Sequence, residues 1–123
     1  MHSRKGILVV DDEELVLEVG MSMLERLGYK VFGAKSSAEA VELYKQNRSE
    51  IDLILLDLNL PDESGSDTYN KIREITPDAR VILSTGGGET KEVIALMSIG
   101  CWGILPKPIT FNKLSTIMKT ALT

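Results

Sequence analysis

Five short apolar segments divide the chain at regular intervals. They lie at residues 6–10, 30–34, 53–56, 80–84 and 102–105, and two of them are continuous apolar runs, Ile-Leu-Val-Val and Leu-Ile-Leu-Leu. Runs of this kind are typical of strands that are buried on both faces of a parallel sheet. The pattern therefore predicts five strands in a sheet that is covered on both sides.

Helical spacing fills the intervals between these segments. Apolar positions three and four residues apart predict a first helix with Val16, Val19, Met23 and Leu27 on its buried face and Gly28 as its stop signal. Four more helices are expected: one capped by Ser36 or Ser37, one over 65–75, one over 89–98 and one that starts near Thr110.

The order of these elements predicts the topology. Five alternating strand–helix units favour a parallel sheet with helices on both faces. Right-handed crossovers then give a doubly wound α/β fold, a flavodoxin-like (βα)5 sandwich with strand order 2-1-3-4-5. The length of 123 residues, without a linker or an internal repeat, is that of one domain over 1–123.

Composition excludes several classes of protein. The net charge is −4 and the basic residues are scattered, which disfavours direct binding of nucleic acid. The apolar run over 51–60 is broken by Asp52 and Asp57, so we expect no membrane span, and a cytoplasmic location is the default. The lone Cys101 leaves no partner for a disulfide.

Polar residues follow four of the five predicted strands. In this fold the carboxyl ends of the strands form the ligand crevice. The polar residues are Asp11, Asp12 and Glu13 after the first strand, Asp57 and Asn59 after the third, Thr85 after the fourth and Lys107 after the fifth. Three carboxylates gathered in the crevice would repel one another without a cation, and oxygen ligands suit Mg²⁺ or Mn²⁺.

Each of these residues also has a purely structural interpretation. The acidic run after the first strand is a plausible helix N-cap. Asp57 is a suitable polar end for a buried strand, and Lys107 is a suitable surface lysine between two prolines. The convergence of all four strand ends on one crevice is what favours a functional site.

The motifs resemble the receiver domain of two-component response regulators along the whole chain. The family has an acidic pair after the first strand, an acceptor aspartate after the third, Thr or Ser after the fourth and Lys-Pro after the fifth. Here the segments ILVVDDE (7–13) and LPKP (105–108) carry much of that likeness, together with Asp57 and Thr85.

The resemblance implies that Asp57 accepts a phosphoryl group from a partner histidine kinase or histidine phosphotransfer domain. It implies a Mg²⁺ or Mn²⁺ ion held by Asp12, Asp57 and the backbone carbonyl of Asn59, with Asp11 acting through metal-bound water. It implies no conventional enzyme: the chain would catalyse its own phosphorylation and a weak autodephosphorylation. The only histidine, His2, is not expected to donate phosphate.

The resemblance also assigns the groups around the phosphoryl oxygens. Lys107 would supply positive charge and Thr85 a hydroxyl, and the Lys107–Pro108 peptide bond would be cis. The output would come from the surface of the fourth helix, fifth strand and fifth helix, toward a downstream effector protein or domain. Whether phosphorylation also drives a dimer stays open.

Two positions depart from the family pattern. Ile104 stands where a switching Tyr or Phe is usual, so the signal is expected to pass through Thr85 and the glycine loop at 86–88. We expect raised mobility over 86–90, since consecutive glycines restrict the backbone least.

Other functional classes fit these residues less well, among them a flavin-binding flavodoxin-like protein, whose flavin phosphate the acidic strand ends would repel. A phosphatase of the haloacid dehalogenase type would need an acid two residues after Asp57, where Asn59 cannot deliver a proton. A receiver-like module that is never phosphorylated is disfavoured by the complete residue set. Segments such as 79–84 are similar to receivers of hybrid sensor kinases, so a fragment of one and a stand-alone regulator both stay open.

Overall fold

A computed structural model describes residues 4–87 and 90–122, in which five strands alternate with five helices. The elements are β1 (Gly6–Val10), α1 (Glu14–Arg26), β2 (Lys30–Ala34), α2 (Ser37–Gln46), β3 (Leu53–Asp57), α3 (Gly65–Ile75), β4 (Val81–Thr85), α4 (Lys91–Ser98), β5 (Gly103–Pro106) and α5 (Phe111–Ala121).

The strands form one parallel sheet in the order β2-β1-β3-β4-β5. This confirms the predicted fold class and strand order. The strand bounds differ from the predicted ones by one residue in places: β3 includes Asp57, β4 includes Thr85 and β5 ends at Pro106. Residues predicted to follow a strand are therefore in part the last residues of that strand.

Two apolar cores lie on opposite faces of the sheet. One packs α2, α3 and α4 against residues such as Leu56 and Leu83. The other packs α1 and α5 against residues such as Leu55 and Ile82. Because side chains alternate along a strand, every second residue belongs to the same core, and this alternation decides where the residues at the strand ends point.

The predicted buried face of α1 is confirmed for Met23 and Leu27, which are half-buried against the core, and is wrong for Val19. Leu17, Gly20 and Leu24 are the buried residues of this helix, whereas Val19 is 45% exposed. The helix is apolar over more than one stripe, so spacing alone could not decide between them. The stripe that contains Leu17 and Leu24 packs on the sheet because it completes the core shared with α5.

Helix α4 begins at Lys91, and the Thr90 side chain accepts a hydrogen bond from the Val93 amide. Glu89, the predicted start of this helix, lies outside the described residues. So do Gly88, which is part of the loop for which mobility is expected, and His2.

Among the helices of the described ranges, none has the length and apolar character needed to cross a membrane.

Candidate functional site

Three carboxylates meet at the carboxyl edge of the sheet. Asp11 and Asp12 follow β1, and Asp57 ends the adjacent strand β3. One carboxylate oxygen from each lies within 4.8 Å of the others. Asp11 and Asp57 are 3% and 2% exposed, while Asp12 is exposed to solvent. The site is therefore a buried carboxylate pair with a third carboxylate at its mouth.

Lys107 follows the edge strand β5, and its side chain reaches this carboxylate pair across the end of the sheet. Its Nζ lies 3.2 Å from Asp11 Oδ2 and 3.4 Å from Asp57 Oδ2. The Lys107 amide donates to the carbonyl of Thr85 at 2.8 Å, and the Lys107–Pro108 peptide bond is cis. The ammonium thus links the ends of β1 and β3 although its backbone continues β5.

Backbone amides hold the second oxygen of each buried carboxylate. The Glu13 amide donates to Asp11 Oδ1 at 3.0 Å, and the Asn59 amide donates to Asp57 Oδ1 at 3.1 Å. Glu13 is the N-cap residue of α1, but its side chain makes no capping hydrogen bond. Side-chain capping by Glu13 therefore does not explain the acidic run. Asp11 and Asp57 each accept a hydrogen bond from the backbone amide two residues later, at the ends of two different strands.

Burial and neighbouring charge act in opposite directions on the pKa values of Asp57 and Lys107. Burial raises the pKa of Asp57 above its ordinary value, although the Asn59 amide and the Lys107 ammonium oppose the shift. Burial lowers the pKa of Lys107, but the carboxylates of Asp57 and Asp11 outweigh it and raise that pKa overall. The lysine is firmly charged, whereas the burial cost of the Asp57 carboxylate is only partly offset.

Thr85 and Ile104 lie together on the other face of the sheet. Thr85 follows Leu83 by two residues, and both Leu83 and Ile104 pack in the core formed with α2, α3 and α4. The Thr85 hydroxyl oxygen accepts a hydrogen bond from the Gly87 amide at 3.2 Å, which leaves its proton available for donation. Ile104 is partly buried and carries no ring at this position.

The loop between β3 and α3 is fastened to α2 by the carboxylate of Asp62. Asp62 accepts hydrogen bonds from the amides of Ser37 and Ala38 at 2.9 and 3.0 Å. The next residue, Glu63, accepts from the Ser37 hydroxyl. No signal along the chain could have revealed this link, because it joins residues that are distant in sequence.

Removal of the Asp62 carboxylate is expected to loosen the start of α2. In Asp62→Ala, the Ser37 and Ala38 amides lose their acceptor, so their hydrogen exchange should accelerate. The Glu39 amide, which donates to Ser36 Oγ, is an internal control and should exchange as before. Equal acceleration of all three amides would contradict a local role.

This link also has a pH dependence. The two amides lower the pKa of Asp62 below its ordinary value of 3.8. A carboxyl with a lowered pKa contributes stability that is present above the ordinary value and is lost as the pH falls through the folded-state value. The difference between the wild type and Asp62→Ala should therefore be largest near neutral pH and should shrink in acid.

The chemistry of this edge fits a divalent cation. The cluster contains three carboxylates, and within residues 4–87 and 90–122 its ion pairs are those of Lys107 with Asp11 and Asp57, so negative charge is in excess. The converging donors are all oxygens, which hard cations such as Mg²⁺ prefer. A buried carboxylate and a fixed ammonium stand at this edge, and Thr85 carries a hydroxyl at the end of the neighbouring strand β4. These are the kinds of group that phosphoryl transfer uses.

Comparison with known proteins gives the same picture. The sequence model of the response regulator receiver domain matches residues 7–119. Sensor kinase CckA of Brucella abortus is 31% identical over 94% of this chain, and the probable C4-dicarboxylate response regulator DctR of Halalkalibacterium halodurans is 33% identical over 95%. The chain spans 12% and 49% of the lengths of these two proteins.

A solved structure extends the likeness to three dimensions. A response regulator receiver domain protein from Clostridium thermocellum superposes with a TM-score of 0.90 and 36% identity, covering 96% of this chain and 94% of that one. With the family pattern over almost the whole sequence and the fold and strand order in agreement, the chain belongs to the response regulator receiver domains of two-component signal transduction.

Proposed function

We propose that this chain accepts a phosphoryl group on Asp57 from the phosphohistidine of a partner histidine kinase or histidine phosphotransfer domain. The observation that carries the proposal is the setting of the Asp57 carboxylate. It is buried, one oxygen faces the Asn59 amide and the other faces Lys107, and two more carboxylates lie beside it. A carboxylate with a fixed orientation and a cation next to it is a prepared nucleophile.

The carboxylate cluster would hold Mg²⁺ or Mn²⁺ through Asp12, Asp57 and the backbone carbonyl of Asn59, with Asp11 acting through bound water. Bound there, the cation would neutralise charge on the phosphoryl oxygens. The remaining tasks fall to side chains of this chain. Asp57 attacks phosphorus, the bond to the donor breaks, and an aspartyl-phosphate forms.

Lys107 and Thr85 would hold the product. The Lys107 ammonium, already between Asp11 and Asp57, is placed to pair with a phosphoryl oxygen on Asp57. The Thr85 hydroxyl, whose oxygen accepts from Gly87, would donate its proton to another oxygen. Water that enters this exposed edge would hydrolyse the acyl phosphate slowly, which is the weak autodephosphorylation expected of a receiver.

A small phosphodonor such as acetyl phosphate tests the proposal. In the presence of Mg²⁺, intact mass spectrometry should show a gain of one phosphoryl group, and peptide mapping should locate it on Asp57. A chelator should suppress the gain. A phosphoryl group on another residue, or steady turnover of phosphate esters at ordinary enzyme rates, would contradict the proposal.

The output would run from Thr85 and the glycine loop at 86–88 to the surface of α4, β5 and α5, toward a downstream effector. Support comes from the large apolar side chains exposed on and after α4. Ile94, Ile99 and Trp102 are 57%, 55% and 38% exposed. These residues lie on α4 or between α4 and β5, and exposed apolar side chains on one part of the surface are typical of a binding face.

A further inference from the structure

Ser84 carries a buried hydroxyl that has no partner in the part of the chain that the structure describes. It is 2% exposed, and its Oγ has no hydrogen-bond partner within residues 4–87 and 90–122. A buried hydroxyl without a partner lowers stability, so an alanine of nearly the same size would be the better residue for the fold alone. The stability of the fold therefore does not explain why a serine occupies this position of β4.

The sheet register places Ser84 beside the acceptor. Asp57 of β3 lies directly opposite Ser84 of β4, and Ser84 lies opposite Leu105 of β5. Ser84 follows Ile82 by two residues, and Asp57 follows Leu55 by two. Ile82 and Leu55 belong to the same core. Ser84 and Asp57 therefore point to the same face, whereas Thr85 points to the other.

The Lys107 side chain has to pass over β4. It starts beyond the end of β5, and β4 lies between β5 and β3. Its Nζ nevertheless lies 3.4 Å from Asp57 of β3 and 3.2 Å from Asp11 of β1. Ser84 is the last residue of β4 that shares the face of Asp57, and its partner in β5, Leu105, lies two residues before Lys107.

We propose that Ser84 is a positioning residue for Lys107. When the carboxylates bind another group, the Ser84 hydroxyl oxygen accepts a hydrogen bond from the Lys107 ammonium. This inference rests on the proposed function. An ammonium has three N–H donors, and the two carboxylates use two of them. A cation or phosphoryl group at Asp57 competes for those carboxylates, and a neutral hydroxyl on the path of the lysine keeps it in place without adding charge.

Ser84→Ala is the first test, measured with Mg²⁺ present. The rate of phosphorylation by acetyl phosphate should fall about fivefold, which is the effect of one hydrogen bond. Amine labelling of Lys107, read by peptide mapping, should become faster because the ammonium is less firmly held. Thermal stability should be unchanged or higher, because the unpaired hydroxyl is gone.

A matched control separates this role from a general effect of the lost hydroxyl. Thr76 Oγ1 is the other buried hydroxyl without a partner among the described residues, and it lies after α3, before the start of β4 and far from the site. Thr76→Val should leave both the phosphorylation rate and Lys107 labelling as in the wild type. The pair Ser84→Thr and Ser84→Val has equal shape, and only the threonine variant should retain slow Lys107 labelling.

The outcomes distinguish the two proposals. A wild type that never gains a phosphoryl group would refute the proposed function, while the labelling comparison would still decide the role of Ser84. Unchanged phosphorylation and unchanged Lys107 labelling in Ser84→Ala would overturn the inference. Equal labelling of Ser84→Thr and Ser84→Val would overturn it as well, because size and not the hydroxyl would then matter.

Discussion

Asp57→Asn is expected to abolish phosphorylation and to raise the stability of the metal-free protein. The amide cannot form an acyl phosphate, so the mass gain from acetyl phosphate and Mg²⁺ should vanish. The same change removes a buried charge whose cost is only partly offset by Lys107 and the Asn59 amide. We expect a gain on the order of 1 kcal/mol in the free energy of unfolding, measured in urea with a chelator present.

The sign of the pH dependence follows from the raised pKa of Asp57. A carboxyl whose pKa is raised by folding contributes stability that is fully present below the ordinary value of 3.8 and is lost as the pH rises through the raised value. The advantage of Asp57→Asn should therefore be present at neutral pH and should disappear in acid.

Asp78→Asn is the matched control, because Asp78 is exposed and lies before the start of β4, away from the site. It should alter neither phosphorylation nor stability by a measurable amount. Equal stability of Asp57→Asn and the wild type at neutral pH would mean that the ion pair fully offsets the burial of the carboxylate.

Added Mg²⁺ should stabilise the wild type more than the variant, because a bound ligand favours the folded state.

Lys107→Met is expected to give the largest loss of stability among substitutions at the site. Methionine keeps the unbranched stem but leaves the carboxylates of Asp11 and Asp57 buried without a cation. Breaking a buried ion pair from one side costs several kcal/mol, and this site is partly open to solvent, so we expect a loss of about 2–3 kcal/mol at neutral pH. Urea unfolding in a chelator measures it.

Acid should rescue this variant. Lys107 favours the folded state as long as Asp57 is ionised, so the difference from the wild type should shrink as the pH falls through the raised pKa of Asp57. Asp57→Asn in the same chain should also recover part of the loss, since the two residues are coupled. The exposed Lys113 of α5 offers the control Lys113→Met, and an equal loss in both variants would contradict the ion-pair explanation.

Much of the fold could be predicted from the sequence because a buried parallel sheet has a plain signature. Continuous apolar runs such as residues 53–56 leave few other interpretations. The meeting of Asp11, Asp57 and Lys107 at one edge followed from the topology, since parallel strands end on the same side. The buried stripe of α1 did not follow, because that helix has apolar residues on several sides and only the packing on the sheet selects Leu17 and Leu24.

The finer parts of the site could not be predicted for a different reason. Asp62 holds α2 through hydrogen bonds to Ser37 and Ala38, and nothing in the local pattern connects residues so far apart in sequence. Ser84 is one hydroxyl in an apolar strand and looks like a minor polar substitution. Its significance depends on the register with Asp57 and on the path of Lys107, both of which belong to the three-dimensional structure.

The alternation of β4 has a consequence for how this family member can evolve. Ser84 faces the acceptor and Thr85 faces Ile104, and a single peptide unit separates the two. Deletion or insertion of one residue before this pair would exchange their faces, so that each hydroxyl would meet the wrong neighbours. Length variation among natural homologues should therefore be absent from residues 81–85 and should collect in the loop that follows, whereas substitutions remain permitted in both.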